Sequence, residues 1–187
     1  TRTSYSIAHP DAPISSSGLD KVYTEDLRLL SSGAFAHLAA FLNSIENGAP
    51  WPAQMLHAKA TFLSKDPDKL EDPLQYRVLA IMPIIYRRWA TLRLQQLEAW
   101  VLEWADPGMY AGIPGRGADD AWYETALEVE FAQLTNTAVL GGAVDIWKCF
   151  DQVPRPKLYS VLLAAGFPRG VLRAYMAFQE SVEYRNA

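Results

Sequence analysis

The feature that most constrains the fold is an apolar, β-prone run that ends on an acid. Residues 139–154 read VLGGAVDIWKCFDQVP, with Asp145 closing the run and Phe150 and Asp151 following shortly after it. Burying an unpaired carboxylate is costly, so such an acid is normally paired, exposed at the end of its strand, or bound to a cation. The pattern predicts a strand over 138–146 with Asp145 at its end.

Length and composition indicate a folded chain. It has 187 residues, of which 50% are hydrophobic, enough for one sizeable domain or the adjoining parts of two. No apolar run is long enough to span a membrane, and the opening TRTSYSIAHPDAP lacks the pattern of a signal peptide. The single cysteine, Cys149, suits a reducing compartment. We therefore expect an intracellular protein, cytoplasmic or nuclear, with no membrane partner.

The charges are unevenly distributed. The net charge of −4 argues against a surface that grips nucleic acid everywhere. Residues 57–95 nevertheless carry seven Lys and Arg against four acids, whereas residues 96–130 carry eight acids and only Arg116. This asymmetry indicates that one segment faces an anion and the other faces water; solvated helix faces without a partner are the alternative.

Hydrophobic periodicity and turn signals predict an α+β fold. The strands at 57–65 and 75–80 are separated by the polar, proline-bounded DPDKLEDP and are expected to form a long-looped hairpin. The run at 138–146 is predicted as a third strand. Helices are predicted at 24–30, 33–48, 84–105, 119–134, 157–166 and 170–178, after an irregular lead-in over 1–17.

A strand that ends in Asp is one way in which phosphoryl-transfer sites hold Mg²⁺, with water and substrate phosphates completing the shell. On its own, Asp145 is also explained as a cap of the following turn.

A structural zinc site or a serine or cysteine nucleophile is less well supported by the sequence. The three histidines are scattered, no Gly-x-Ser-x-Gly occurs, and the aromatic neighbours of Cys149 are typical of a buried thiol.

The surroundings of Asp145 add a family resemblance. VDIWKCFDQV, followed by the helix of PRPKL and by LLAAGF, resembles the first catalytic motif of reverse transcriptases of non-LTR, LINE-like retrotransposons. Four upstream blocks are similar to that family in the same order, although Lys21 and Val78 stand where the family usually has Gly and Pro. These blocks are SSGLDKV, PWPAQMLHAKATFLSK, DPLQYRVLAIMPIIYRRWATLRLQQL and GIPGRGADDA.

The resemblance implies roles for matching residues near the acid. Asp145 would be the catalytic carboxylate and a metal ligand, and Ile146 would offer its backbone carbonyl to a metal. Phe150 would lie under the sugar of the incoming nucleotide, where a bulky ring clashes with a 2′-hydroxyl. The NH groups near Lys148 and Cys149 would face the triphosphate.

Further roles fall on the upstream blocks. Lys65 and Arg77, from the two strands of the fingers, would bind the nucleotide and neutralise phosphate charge in the transition state, and Arg116 would touch the template backbone. The intact enzyme would use Mg²⁺ and dNTPs to extend a DNA primer on an RNA template.

Each role has a plainer alternative. Phe150 is also explained as a core residue, and Lys65 and Arg77 as surface charges. Asp151 is better explained as a cap or as a partner of Arg155 than as a metal ligand. The tryptophans could stack on bases, but core packing explains most of them better. The tripeptide 118–120, Ala-Asp-Asp, is interpreted as an acidic first turn of a helix rather than as the second catalytic box of the family.

The resulting hypothesis divides the chain into a lead-in over 1–17, a fingers-like segment over 18–137 and a partial palm over 138–187. Because the chain lacks a starting Met and stops at VEYRNA, we expect a fragment of a longer protein, without the remaining palm and the thumb. With one metal-binding acid, the fragment should be inactive on its own.

Two alternatives stay open. The first is a decayed or domesticated relative that binds RNA or protein without catalysis. The second is an unrelated, mostly helical interaction domain, in which case the resemblance is chance; a structure without a strand that ends at Asp145 and packs on two helices would decide for it.

Overall fold

The structure, a computed structural model, describes residues 17–66, 68–147 and 149–186. The predicted lead-in and Lys148 therefore lie outside the described residues, apart from residue 17. The described residues divide into two compact units, one formed by those within 17–90 and 170–186 and the other by those within 91–169. The three segments inferred from the resemblance follow motifs rather than compactness, and they stay a prediction.

Helices and one small sheet make up the described residues, so the α+β prediction is confirmed. In the first unit, β1 (His57–Ser64) pairs with β2 (Tyr76–Ile81) in an antiparallel hairpin and with β3 (Glu183–Asn186) in parallel, so that β1 is the central strand. The helices are α1 (Thr24–Arg28), α2 (Ser32–Glu46), α3 (Ile84–Trp104), α4 (Ala118–Thr135), α5 (Arg155–Ala164) and α6 (Arg169–Ser181), and short 3-10 turns lie at Ala53–Met55, Pro73–Gln75 and Cys149–Gln152.

Local sequence explains where these elements begin and end. The Ser31 hydroxyl accepts a hydrogen bond from the Ala34 N–H and caps α2, which stops before Gly48, where φ is +111°. The first turn of α4 carries Asp119 and Asp120, and the Asp120 carboxylate accepts a hydrogen bond from the Gly117 N–H. The interpretation of Ala-Asp-Asp as an acidic first turn is therefore confirmed.

An aromatic cluster forms the core of the first unit. Trp51 contacts Tyr86, Trp89 and Phe178 edge-on, with ring centroids 5.5–5.6 Å apart, and its indole N–H donates to the Ala174 carbonyl over 2.8 Å. Phe178 is fully buried and stacks on Tyr86 at 3.5 Å. The chain before β1 is thereby fixed to α3 and α6.

The second unit contains α4, α5 and the C-terminal part of α3. Trp100 packs edge-on against Trp104 and Phe167, and its indole N–H donates to the Ala165 carbonyl over 2.9 Å. Trp51 and Trp89 are buried and Trp100 is partly buried, but Trp104, Trp122 and Trp147 are exposed, so core packing does not explain most of the six tryptophans.

The strand predicted over 138–146 is wrong, because these residues have no regular secondary structure and are exposed. A strand needs a neighbour that satisfies its N–H and C=O groups. The described residues of the second unit contain no other strand. The apolar run therefore has the composition of a β-strand, but among the described residues it has no neighbouring strand with which to form backbone hydrogen bonds.

Candidate functional site

The hairpin brings together the two cations predicted to bind the nucleotide. Arg77 lies opposite Leu63 in the register, and the Lys65 N–H donates to the Gln75 carbonyl over 2.7 Å, which extends the ladder one pair beyond β1. Lys65 and Arg77 are thus diagonal neighbours, with Cα atoms about 7–8 Å apart. Both side chains are exposed, and the Lys65 ammonium donates to the Leu74 carbonyl over 3.4 Å.

Both cations also share one face of the hairpin. Side chains alternate between faces along a strand, and directly opposed residues share a face. Lys65 therefore lies on the same side as Leu63, its neighbour two residues earlier, and as Arg77 opposite Leu63. Two long, mobile cationic side chains at this spacing can reach one phosphate group together.

The turn at 18–21 explains three positions of the first resembling block. A Cβ on Gly18 would meet the Asp20 Oδ1 atom at 2.9 Å and the Met82 carbonyl oxygen at 3.2 Å, so any larger residue would have to displace the Asp20 carboxylate and push back the Met82 backbone. The other Asp20 oxygen accepts a hydrogen bond from the Ile84 N–H over 2.7 Å and caps α3. Lys21 has a φ of +51°, the left-handed conformation that glycine favours. The backbone thus takes the form that the Gly-x-Asp-Gly pattern would suit, despite the lysine.

The segment predicted to carry the catalytic acid lies in the second unit. Asp145 and Ile146 are exposed in the irregular stretch before residue 147, so the Asp145 carboxylate is not turned inward onto an arginine. Phe150 is 94% exposed, which makes the core interpretation of this residue wrong. Cys149 is also exposed, contrary to the buried thiol expected from its aromatic neighbours. The roles predicted for these residues in nucleotide binding stay predictions.

Arg116 has a structural function within its own loop. A single guanidinium nitrogen donates to the carbonyls of Asp106, Pro107 and Met109, over 2.6, 3.1 and 2.7 Å. Charge-assisted bonds to these three carbonyls fix this glycine-rich loop. The template contact predicted for Arg116 therefore remains a prediction, beside a local role that the sequence did not reveal.

The residues present do not form a two-metal site. Among residues 17–66, 68–147 and 149–186, no three His, Cys, Asp or Glu side chains are grouped so that they could hold a metal ion. In the roles that the resemblance implies, Asp145 would supply one carboxylate and Ile146 one carbonyl, whereas in-line phosphoryl transfer by two Mg²⁺ ions needs further hard oxygen ligands. We therefore derive no catalytic step through a metal on this chain.

The site includes one element that sequence reasoning missed. Strand β3 places Glu183 opposite His57 and Arg185 opposite Lys59. Its only sequence signal is the alternation of Val182 and Tyr184 with charged residues, which is too short to separate from the end of α6. The Arg185 guanidinium donates to the Glu183 carboxylate over 2.7 Å and lowers the pKa of that carboxyl below its usual value.

Comparison with known proteins adds no assignment. No family model matches the chain, and no curated protein matches it significantly. Within the described residues, no helix combines the length and apolar character needed to cross a membrane.

Proposed function

We propose that this chain forms the fingers and the first part of the palm of an RNA-templated DNA polymerase, in which Lys65 and Arg77 bind the triphosphate of the incoming dNTP. The observation that carries the proposal is the pair of exposed cations on one face at the end of the β1–β2 hairpin. Two cations that reach one polyphosphate match its charge and its several oxygen acceptors.

The turn at 18–21 supports the same proposal. Gly18 lies where a Cβ would crowd the Asp20 carboxylate and the Met82 carbonyl, Asp20 caps α3, and Lys21 has the backbone conformation expected where the family pattern has glycine. These three properties depend on different physical causes. Their occurrence in one block of the resembling sequence therefore carries more weight than any single residue match.

The irregular segment 138–146 favours a second candidate, an unrelated helical interaction domain. In the polymerase proposal, this apolar run instead pairs with a strand from further palm residues. Exposed apolar side chains, among them Leu140, Val144 and Phe150, are typical of a surface that packs against more protein. We give the hairpin more weight, because residues 138–146 would lack a pairing partner in this chain under both candidates, so their irregular structure does not separate the two.

Mg²⁺, the RNA template, the DNA primer and an intracellular location, cytoplasmic or nuclear, belong to this proposal as well. A decayed relative that keeps the nucleotide-binding hairpin without catalysis would share the binding properties of the chain. Only activity would separate the two.

Titration of the chain with dTTP tests the proposal. We expect binding that weakens about tenfold in Lys65→Ala and in Arg77→Ala, since a charge-assisted hydrogen bond contributes about 1.5–3 kcal/mol and 1.4 kcal/mol is tenfold. Lys69→Ala is the matched control: it removes a loop cation that pairs with Asp66 over 3.4 Å. Affinity for dTTP should exceed that for dTMP, measured by isothermal titration calorimetry.

Unchanged dTTP binding in both hairpin variants would refute the proposal in favour of the interaction domain. Catalysis is tested in the longer protein that the resemblance implies. There, Asp145→Asn should abolish primer extension on an RNA template while dTTP binding by the hairpin persists. Primer extension that survives this substitution would remove Asp145 from the catalytic site.

A further inference from the structure

The third strand enlarges the cationic surface beyond the hairpin. Strand β3 runs parallel to β1, with Lys59 paired to Arg185 and His57 paired to Glu183. Since paired residues share a face, Arg185 lies beside Lys59 on one side of the sheet. This pairing joins residues that are far apart in the sequence.

Part of this side of the sheet is exposed to solvent, as is the part of the other side that carries Phe62, Val78 and Tyr184. Ala58 and Ala60, which point to the opposite side, are buried. Lys59 and Thr61 are half-buried, whereas Lys65, Arg77 and Arg185 are exposed. We call the side that carries Lys59, Lys65, Arg77 and Arg185 the basic face.

The basic face also carries Thr61, His57 and Glu183. The Thr61 hydroxyl is buried and has no hydrogen-bond partner among the described residues. The one acid, Glu183, accepts a hydrogen bond from the Arg185 guanidinium and lies 3.6 Å from His57 Nδ1. Because a guanidinium has five N–H donors, the bond to Glu183 leaves Arg185 able to bind an anion.

The spacing of the cations indicates a ligand with repeated phosphates. Lys59 precedes Leu63, the residue opposite Arg77, by four positions, which corresponds to about 13 Å along a strand. One triphosphate bound at Lys65 and Arg77 does not extend to Lys59 and Arg185. A polynucleotide does, since its phosphates recur along the backbone.

The side chains between the two cation pairs determine whether a bound nucleic-acid strand would be recognised by its base sequence. Leu63, Leu79 and Ile81 lie on the basic face, whereas Phe62, Tyr76 and Tyr184 point to the other side, so the described strands place no Phe, Tyr or Trp on it. Its one aromatic ring, the His57 imidazole, is half-buried with Nδ1 3.6 Å from Glu183. Bases therefore have no exposed Phe, Tyr or Trp ring to stack on there. Binding through this face would be independent of sequence.

We propose that Lys59 and Arg185 bind the phosphate backbone of a single-stranded nucleic acid that lies along the basic face next to the Lys65–Arg77 pair. The inference rests on the proposed function, to which it adds a second phosphate-binding position. It requires β3, so the residues after α6 contribute directly to the site.

Fluorescence anisotropy with a labelled single-stranded RNA of twelve uridines tests the inference over a range of NaCl concentrations. Lys59→Ala and Arg185→Ala should each weaken binding about three- to tenfold. Each should also make the slope of log K against log[salt] shallower by about 0.7, the value for one phosphate contact on a single strand. Arg28→Ala, which removes an exposed cation from α1, should change neither quantity.

Arg185 also bonds to Glu183, so Arg185→Ala could release β3. Arg185→Lys keeps the charge and should retain the salt slope, and Lys59→Ala leaves the Glu183 bond intact. A twelve-residue adenosine RNA should bind within about threefold of the uridine RNA, as expected for phosphate contacts. A strong sequence preference would overturn the inference.

The outcomes separate this inference from the proposed function. Unchanged RNA binding and salt slope in Lys59→Ala and Arg185→Ala, with dTTP binding still dependent on Lys65 and Arg77, would overturn the inference alone. Weakened RNA binding in these variants, with dTTP binding insensitive to Lys65 and Arg77, would support the basic face and reject the nucleotide site.

Discussion

At the scale of single residues, Lys21 shows how a departure from a sequence pattern is tolerated. Its φ of +51° lies in the left-handed region, which costs a residue with a Cβ about 1–2 kcal/mol. The neighbouring turn maintains this conformation, since the Lys21 N–H donates to the Gly18 carbonyl over 3.2 Å and Asp20 is fixed to α3. The position therefore stores backbone strain that glycine would relieve.

Lys21→Gly should stabilise the protein. The relief of left-handed strain exceeds the extra entropy of an unfolded glycine, which is about 0.5–1 kcal/mol, so we expect a net gain of about 0.5–1 kcal/mol in the free energy of unfolding. Urea denaturation measures it. Lys21→Ala is the control, because alanine keeps the strain and should give no gain; equal stability of the two variants would show that the turn is not strained.

At the scale of elements, the predictions that depend on local sequence pattern agree with the structure, whereas the predicted strand that needs a distant partner does not form. The hairpin and the long helices formed close to their predicted boundaries, because β1 and β2 are neighbours in sequence and each helix closes its own hydrogen bonds. The run at 138–146 has equally β-prone residues but no described strand beside it. Strand formation depends on a partner that composition does not specify.

The contact between α3 and α6 gives the protein a measurable response to alkaline pH. Burial raises the pKa of Tyr86 from 10.0 to about 12, against the opposing effect of the hydrogen bond from the Gln179 side chain, 3.2 Å from the phenol oxygen. Because the folded state favours the neutral phenol, the associated stability is fully present below pH 10. It is lost as the pH rises from 10 to about 12.

Tyr86→Phe should remove this part of the pH dependence. The wild-type protein should lose roughly 2–3 kcal/mol more unfolding free energy than the variant between pH 9 and pH 12. At neutral pH, the variant should lose only about 0.5–1.5 kcal/mol, for one hydrogen bond. Urea denaturation at several pH values measures both quantities, and parallel pH profiles for the two proteins would contradict the assignment.

At the scale of the whole molecule, the first unit is built from distant parts of the chain. The described residues within 170–186 join those within 17–90, and Phe178 of α6 lies fully buried among Trp51 and Tyr86. The same long-range return places β3 beside β1 and completes the basic face. Core formation and the proposed nucleic-acid surface thus depend on the same C-terminal segment.

Phe178→Ala should destabilise this unit by about 3–5 kcal/mol, as expected for removing a large side chain from a packed core. Phe150→Ala is the matched control: the same substitution at a 94% exposed position should change stability by less than about 0.5 kcal/mol. Urea unfolding followed by tryptophan fluorescence compares them. Similar losses in the two variants would place Phe178 outside the core or Phe150 inside one.

The sequence by itself determined the helices, the hairpin, the α+β class and the positions of Lys65 and Arg77 at its end, because hydrophobic period, capping residues and short-range pairing act locally. Only the tertiary structure decided that Phe150 is exposed, that Arg116 fixes its own loop, that residues 138–146 remain irregular and that β3 brings Arg185 to Lys59. These outcomes depend on which distant backbone groups and side chains meet, and a one-dimensional pattern does not encode that choice directly.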